Sequence, residues 1–351
     1  MGIRNLNSYL RSSCPDSIRC INLADLSGKR IAIDISIYLY KYETDGALIE
    51  NMYAMLSVFR HYNIIPIFIF DGKPPPEKKE LLAKRREDRV EAIQEYDNLK
   101  ALLEEGSNLD YNEKQHIIDT MTNLKRQIVQ INKDKIEKVK SLIRSYGATY
   151  YDAPGEAAEL CALLVIKKKV WACLSEDMDL FVYGCTRVLR YFSLMNHTAV
   201  MYYMKGILRE LNMTHDQFKQ ICILSGTDYN INANGDNKHN NLYQVVKYFN
   251  NYKQTESIYS FYEWLQEKTD CISDIELLNK INTMFDLNEE KENLRVFNDI
   301  KVVNGPIKQD EIVSIMTEEN FIFIPSSLNM LYEDSLQLEH FARKRRYFNV
   351  I

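Results

Sequence analysis

Ile64-Ile65-Pro66-Ile67-Phe68-Ile69-Phe70-Asp71 is an apolar run that ends in a carboxylate, and Gly72-Lys73-Pro74-Pro75-Pro76 breaks regular structure directly after it. Residues 65–70 read as a strand. Upstream, Lys29-Arg30-Ile31-Ala32-Ile33-Asp34 repeats the device, a short apolar strand closed by an aspartate. Between the two, Leu48, Met52, Met55, Leu56 and Phe59 recur at helical spacing. Strand, helix, strand in this order is a βαβ unit. The expected sheet is therefore mainly parallel, with its carboxylates gathered at the C-terminal ends of the strands.

Working outward, Val170-Trp171-Ala172-Cys173-Leu174 is a third apolar strand, again delivering acids, in Ser175-Glu176-Asp177-Met178-Asp179. Thr149-Tyr150-Tyr151 is a fourth, followed by a helix expected to open at Pro154 and to run through Glu156-Ala157-Ala158-Glu159. A helix carrying Ile136, Val139, Leu142, Ile143 and Tyr146 stops at Gly147. Thr214-His215-Asp216-Gln217 is a capping box whose helix ends at Gly226, just before Asp228. From Glu77 to about Lys133 the chain is charged, poor in strand formers and interrupted at Gly106-Ser107-Asn108, which predicts two exposed helices. After Tyr229 the sequence turns rich in Asn, Asp and Gly and then helical, so a boundary is expected near residues 229–230.

The chain has 351 residues, 46% hydrophobic, with a formal net charge of −5. That length suggests a main α/β body with a smaller appendage. A net acidic chain does not bind nucleic acid by bulk charge and needs local basic patches to do so. The longest apolar run is far short of the roughly 20 residues that span a bilayer. Met1-Gly2-Ile3-Arg4-Asn5-Leu6 lacks the apolar stretch of a secretion signal and the Ser or Thr of a myristoylation site. The cysteines Cys14, Cys20, Cys161, Cys173, Cys185, Cys222 and Cys271 form no C-x-x-C pair. A reduced, intracellular protein without zinc is expected.

One aspartate at a strand end is ordinarily a helix cap. The set is more informative: Asp34, Asp71, Asp177 and Asp179 all stand at strand ends, with Glu156 and Asp228 just inside or beside helices. Clustered carboxylates repel one another and raise each other's pKa unless divalent cations neutralise them. Oxygen donors without His or Cys favour Mg²⁺ or Mn²⁺. Two such ions about 4 Å apart support phosphodiester hydrolysis. Lys73, Lys78, Lys79, Lys84, Arg85, Arg86 and Arg89 follow Asp71 closely and suit phosphate contacts, with a solvated helix face as the plain alternative. Lys78 and Arg85 are the two retained as functional.

These motifs, with Met1-Gly2-Ile3, Phe70-Asp71-Gly72-Lys73-Pro74-Pro75, Leu82-Ala83-Lys84-Arg85, Asp152-Ala153-Pro154-Gly155-Glu156-Ala157 and Cys222-Ile223-Leu224-Ser225-Gly226-Thr227-Asp228-Tyr229, resemble in order and spacing flap endonucleases of the XPG family. The resemblance covers about the first 230 residues well. It implies an α/β, PIN-like nuclease core over residues 1–229, a helical arch inserted at about 72–133, and a helical DNA-binding region over 230–351. It implies a structure-specific 5′ nuclease of replication and repair that cuts 5′ flaps at single-strand/double-strand junctions, with 5′→3′ exonuclease action. Asp34, Asp71, Glu156, Asp177, Asp179 and Asp228 would hold two Mg²⁺, with Mn²⁺ able to substitute. Lys78 and Arg85 match the basic pair at the base of the arch, and Lys73 lies beside them. Tyr40 matches an aromatic that stacks on a base, the alternative being an ordinary core or half-buried aromatic. Gly2 matches a residue close to the active site. The partner implied is DNA with a 5′ flap or 5′ end, bound by a monomer without a membrane, in the nucleus or wherever DNA is replicated.

The chain departs from that pattern at three places. Glu156-Ala157-Ala158-Glu159 stands where the family usually has Glu-Ala-Glu. Glu159 shares a helix face with Glu156 and is the candidate replacement, direct or through water. The Gly-rich duplex-gripping hairpin is replaced by residues 232–240, where only Gly235 keeps its place. Gln337-Leu338-Glu339-His340-Phe341 does not make a sliding-clamp peptide, and Arg343-Lys344-Arg345-Arg346 reads equally as an import signal, a DNA tail or a solvated terminus. Two rival readings stand beside the flap nuclease. One is an exonuclease or junction-cutting enzyme of the same superfamily, and the other a DNA-binding scaffold that kept the fold without the chemistry.

Overall fold

The computed structural model describes residues 2–104, 110–230, 241–255, 257–272, 274–287 and 296–323. The segments 106–108, 232–240 and 337–346, and with them Gly235, lie outside the described residues. In chain order the elements are α1 (Leu6–Ser13), β1 (Ile18–Asn22), β2 (Arg30–Asp34), α2 (Ser36–Thr44), α3 (Leu48–His61), β3 (Ile65–Phe70), α4 (Lys79–Glu104), α5 (Tyr111–Ile128), α6 (Lys133–Ser145) and β4 (Thr149–Asp152). There follow α7 (Ala157–Ile166), β5 (Ala172–Leu174), α8 (Asp179–Val182), β6 (Arg187–Ser193), β7 (Thr198–Tyr203), α9 (Met204–Glu210), α10 (His215–Leu224), α11 (Leu242–Gln254), α12 (Phe261–Lys268), α13 (Ile275–Met284) and α14 (Gln309–Glu318).

The strands form one seven-stranded sheet in the order β1-β7-β6-β5-β2-β3-β4. From β6 to β4 every pair is parallel, as the βαβ reading predicts. Pro66 is tolerated inside β3 because Ile65 N–H turns toward β2, so residue 66 faces β4, whose pairing begins only at Ile67. Side chains alternate across the sheet. Ile31, Ile33, Phe68 and Phe70 face a core built with α2, α3, α6 and α14. Ala32, Ile67 and Ile69 face a second core with α1, α7, α10, α11, α12 and α13. Burial on both faces explains why these strands read as continuous apolar runs.

The sheet is mainly parallel, as expected, and turns antiparallel at one edge. β7 runs antiparallel to β6, and β1 antiparallel to β7. Buried Arg190 and a register shift after it interrupt β6, with Tyr191 in the left-handed region at φ 53°. These break the two-residue alternation by which the hairpin would have been recognised. Pro154 does not open a helix as expected. α7 begins at Ala157 with Glu156 as its N-cap, and residues 153–155 cross from β4 to the helix.

The charged insertion is α4 and α5, packed on each other and burying little else than Ala92 and Leu124. At 26 residues, α4 is about 39 Å long. Downstream, residues 301–312 return to the sheet. Gly305 N–H donates to the Gly147 carbonyl at 2.7 Å, Lys308 N–H to Ser145 at 2.7 Å, and Arg60 reaches the carbonyls of Tyr146 and Gly305. Gly147, in the left-handed region at φ 66°, ends α6 as the sequence indicates. A Cβ there would lie 2.6 Å from the Gly305 backbone.

Candidate active site

Parallel strands deliver their last residues to one edge. Asp34 ends β2 and accepts from Ser175 Oγ at 2.7 Å, just beyond β5. Asp71 follows β3 and accepts the N–H of Ala157 at 2.8 Å, so this carboxylate caps α7 from another strand, while Glu156 makes no capping bond of its own. That placement also favours the positive end of the helix dipole. Ser36 Oγ donates to the other Asp71 oxygen. Asp177 accepts from Asp179 N–H at 3.1 Å, and its own N–H goes to Ser175 Oγ at 3.0 Å.

Asp179 opens α8 and is 2% exposed. Its Oδ1 is buried and receives no hydrogen bond. Gly2 packs onto it from the N-terminal segment. Across the cluster, Lys78 is 6% exposed, with Nζ 2.5 Å from Glu156 Oε1 and 3.3 Å from Asp228 Oδ2. Arg85, projecting from α4, reaches the same Asp228 oxygen at 3.3 Å. The first helix of the charged insertion is thereby pinned to the carboxylates near its start.

Electrostatics follow from burial. Asp34 is pushed up to about 7, by burial first and then by the neighbouring Asp71, against the Ser175 hydrogen bond. Burial and then Asp177 and Asp228 push Asp179 well above the usual carboxylate range, with Lys78 opposing. Asp177 is raised for the same first reason. For Lys78, burial would lower the pKa, but Glu156 and Asp228 outweigh it, and the net shift is upward. The ammonium stays charged.

Among the described residues, no three His, Cys, Asp or Glu side chains are already drawn into a closed cage. Mg²⁺ does not need one, since it keeps several waters and takes one or two carboxylates directly. Oxygen-only donors, carboxyls raised by burial and then by mutual repulsion, and a buried Asp179 oxygen without a donor all fit a hard divalent cation.

The remaining expected residues are scattered around this centre. Tyr40 lies on α2 with 49% of its surface exposed, so it is not a core aromatic but is half-buried. Lys73 is exposed in the segment after β3. Glu159 is half-buried on the first turn of α7, 3.6 Å from where a Cβ on Gly155 would stand, and its charge bears on Tyr183.

Three residues of the site went unnoticed in the sequence. Ser175 is fully buried and serves both Asp34 and Asp177. Its place at a strand end before two aspartates was the available signal. Tyr229 donates to Glu156 Oε2 at 2.7 Å. Arg190 is buried under the Asp177 loop, donating to the Glu176 carbonyl at 3.1 Å and to Asn7 Oδ1 at 2.6 Å.

Residues 1–92 match the family model for the XPG N-terminal domain and residues 147–228 that for the XPG I-region. Flap endonuclease 1 of Lodderomyces elongisporus is 30% identical over 279 residues, 71% of this chain and 68% of the relative. Flap endonuclease 1 of Xenopus tropicalis is 29% identical over 248 residues, 65% of this chain and 61% of the relative. The chain thus spans about three fifths of the length of several relatives that it matches. Among solved structures, the catalytic core of Rad2 in complex with DNA substrate superposes with a TM-score of 0.60 at 21% identity, over 90% of this chain and 94% of that one. The flap endonuclease-1 of Methanococcus jannaschii does so at 0.53 and 21%, over 86% and 97%. The fold is the PIN-like nuclease fold of these proteins, and the chain belongs to the XPG family of flap endonucleases.

Proposed function

We propose that the protein is a divalent-metal-dependent nuclease that cuts DNA carrying a 5′ flap at the junction of single and double strands, with 5′→3′ exonuclease action, in replication and repair. The observation that carries this reading is the buried Asp179 Oδ1, left without a donor among Asp177, Asp228 and Glu156. Asp34, Asp71, Glu156, Asp177, Asp179 and Asp228 would hold two Mg²⁺ or Mn²⁺, and Glu159 would contribute directly or through water. Bound divalent ions supply Lewis-acid polarisation of a phosphodiester and activation of water.

The chain's own groups do the rest. Lys78 and Arg85, which meet at Asp228, are placed to exchange that carboxylate for a phosphate oxygen and to offset the charge that develops on it. The exposed ring of Tyr40 suits stacking on an unpaired base, and Lys73 suits a backbone phosphate. Residues 1–229 act as the nuclease core and 230–351 as the helical DNA-binding region, with Gly235 a phosphate contact of the latter. A monomer suffices for this chemistry. No helix of the described residues is long and apolar enough to cross a membrane. The nucleus, or another site of DNA replication, is the proposed location.

The test is cleavage of an end-labelled 5′-flap duplex in Mg²⁺, Mn²⁺ and EDTA, beside Asp179→Ala. Metal-dependent cutting at the junction, absent in the variant, is the expected result. DNA binding with no product in either metal would replace the nuclease by a scaffold.

A further inference from the structure

Glu156 is held at both oxygens. Lys78 Nζ lies 2.5 Å from Oε1, and the Tyr229 hydroxyl donates to Oε2 at 2.7 Å. The same tyrosine ring lies under the Lys78 ammonium, 4.9 Å from ring centroid to nitrogen. One side chain therefore touches both members of the Glu156–Lys78 pair.

Nothing in α7 itself fixes the Glu156 side chain, which sits at the N-cap without a capping bond. Tyr229, by contrast, is firmly seated. Its ring meets Phe285 edge-on at 5.4 Å, Phe285 meets Tyr183 at 4.9 Å, and the Tyr183 and Tyr229 hydroxyls are 3.5 Å apart. Phe285 is itself buried at the end of α13, and the next residue, Asp286, pairs with buried Lys219 of α10.

We propose that Tyr229 is a positioning residue: its hydroxyl orients the Glu156 carboxylate toward a divalent cation, and its ring holds Lys78 beside it. This rests on the nuclease reading for the identity of the cation. Outer partners that orient a metal-binding carboxylate typically contribute 10- to 100-fold to metal affinity. A tyrosine that merely filled space below Asp228 would contribute nothing through its hydroxyl.

The experiment is Mn²⁺ binding to the full chain without DNA, followed by electron paramagnetic resonance, for wild type, Tyr229→Phe, Glu156→Gln and the double variant. Thermal melting in EDTA accompanies it. Tyr229→Phe keeps the ring, its contact with Phe285 and the surface under Lys78, and removes only the hydroxyl. The expected result is Mn²⁺ affinity weakened about 10-fold or more, a melting shift of about 2 °C or less, and no further weakening when the change is added to Glu156→Gln. Wild-type affinity in Tyr229→Phe overturns the proposal. So does an equal loss in both backgrounds, which would place the effect elsewhere than Glu156, and so does a wild-type chain that binds no Mn²⁺. Mn²⁺ bound as expected but flap DNA left uncut would defeat the nuclease reading and leave the role of Tyr229 standing.

Discussion

Gly2 leaves no room for a side chain against Asp179: a Cβ on residue 2 would lie 2.5 Å from Asp179 Oδ1 and 2.9 Å from Asp177 Oδ1. Gly2 also sits in the left-handed region at φ 76°. Gly28 shares that conformation at φ 71° but has nothing within 4 Å, so it is the control. Each change to alanine carries a backbone cost of about 1–2 kcal/mol. Gly28→Ala is expected to show that cost alone and to cut flap DNA normally. Gly2→Ala is expected to lose about tenfold or more in cleavage, because it must displace a carboxylate or the segment that bears it. Equal cleavage by the two variants would show that the contact at Asp179 is immaterial.

The raised pKa of Asp34 sets a pH dependence. In the unfolded chain an aspartate ionises near 3.9, whereas folded Asp34 does so at about 7. Between those values the folded chain holds a proton that the unfolded chain has lost, so stability falls as pH rises from about 4 through 7. At about 1.4 kcal/mol per unit, the effect reaches a few kcal/mol, and Asp177 and Asp179 act in the same direction. In EDTA the melting temperature of the wild type is expected to drop between pH 5 and pH 8. Asp34→Asn should flatten that drop, and Mg²⁺ should reverse it in the wild type. A pH-independent wild type would show that Asp34 ionises normally.

Lys78 supplies the positive charge between Glu156 and Asp228. Lys78→Met leaves two largely buried carboxylates short of compensation, and the expected loss in EDTA is about 3–5 kcal/mol, toward the lower end because Arg85 still meets Asp228. Urea denaturation with and without Mg²⁺ measures it. The cation should recover part of the loss in stability but not the cleavage. Unchanged stability in EDTA would mean that water replaces the ammonium at no cost.

Arg190 joins the N-terminal helix to the loop that carries Asp177. Its guanidinium meets Asn7 Oδ1, the Glu176 carbonyl and the Glu176 carboxylate, the last at 3.1 Å. Tyr202 donates to the same Asn7 oxygen at 2.8 Å. Arg190→Lys cannot serve a fork of partners with one ammonium. Both Arg190→Lys and Arg190→Ala are therefore expected to lose about 3 kcal/mol or more in urea denaturation. A lysine variant as stable as the wild type would contradict the fork.

The parts legible in the sequence were those that local chemistry writes down. Asp34 and Asp71 close uninterrupted apolar strands, and Thr214 with Gln217 forms the capping box that opens α10. What escaped depended on partners distant in the chain. Arg190 is a charge inside a strand, explained only by Asn7 and Glu176. Tyr229 is one of 23 tyrosines, and its bond to Glu156 exists only once α7 and the end of α10 are brought together. The burial of Lys78 was likewise invisible, because basic residues beside it in sequence, such as Lys79 and Arg86, stay in solvent.

The closure of Gly305 onto Gly147 bears on synthesis. A ribosome releases the strands of the sheet in order, and all seven, from β1 at Ile18 to the end of β7 at Tyr203, can pair before the last third of the chain exists. The carbonyls of Ser145 and Gly147 have no such early partners: they receive the N–H groups of Lys308 and Gly305. Contacts so far apart along the chain form late, since loop closure precedes their reward. A nascent chain halted before residue 305 would carry a finished sheet with α6 still open to water at its end.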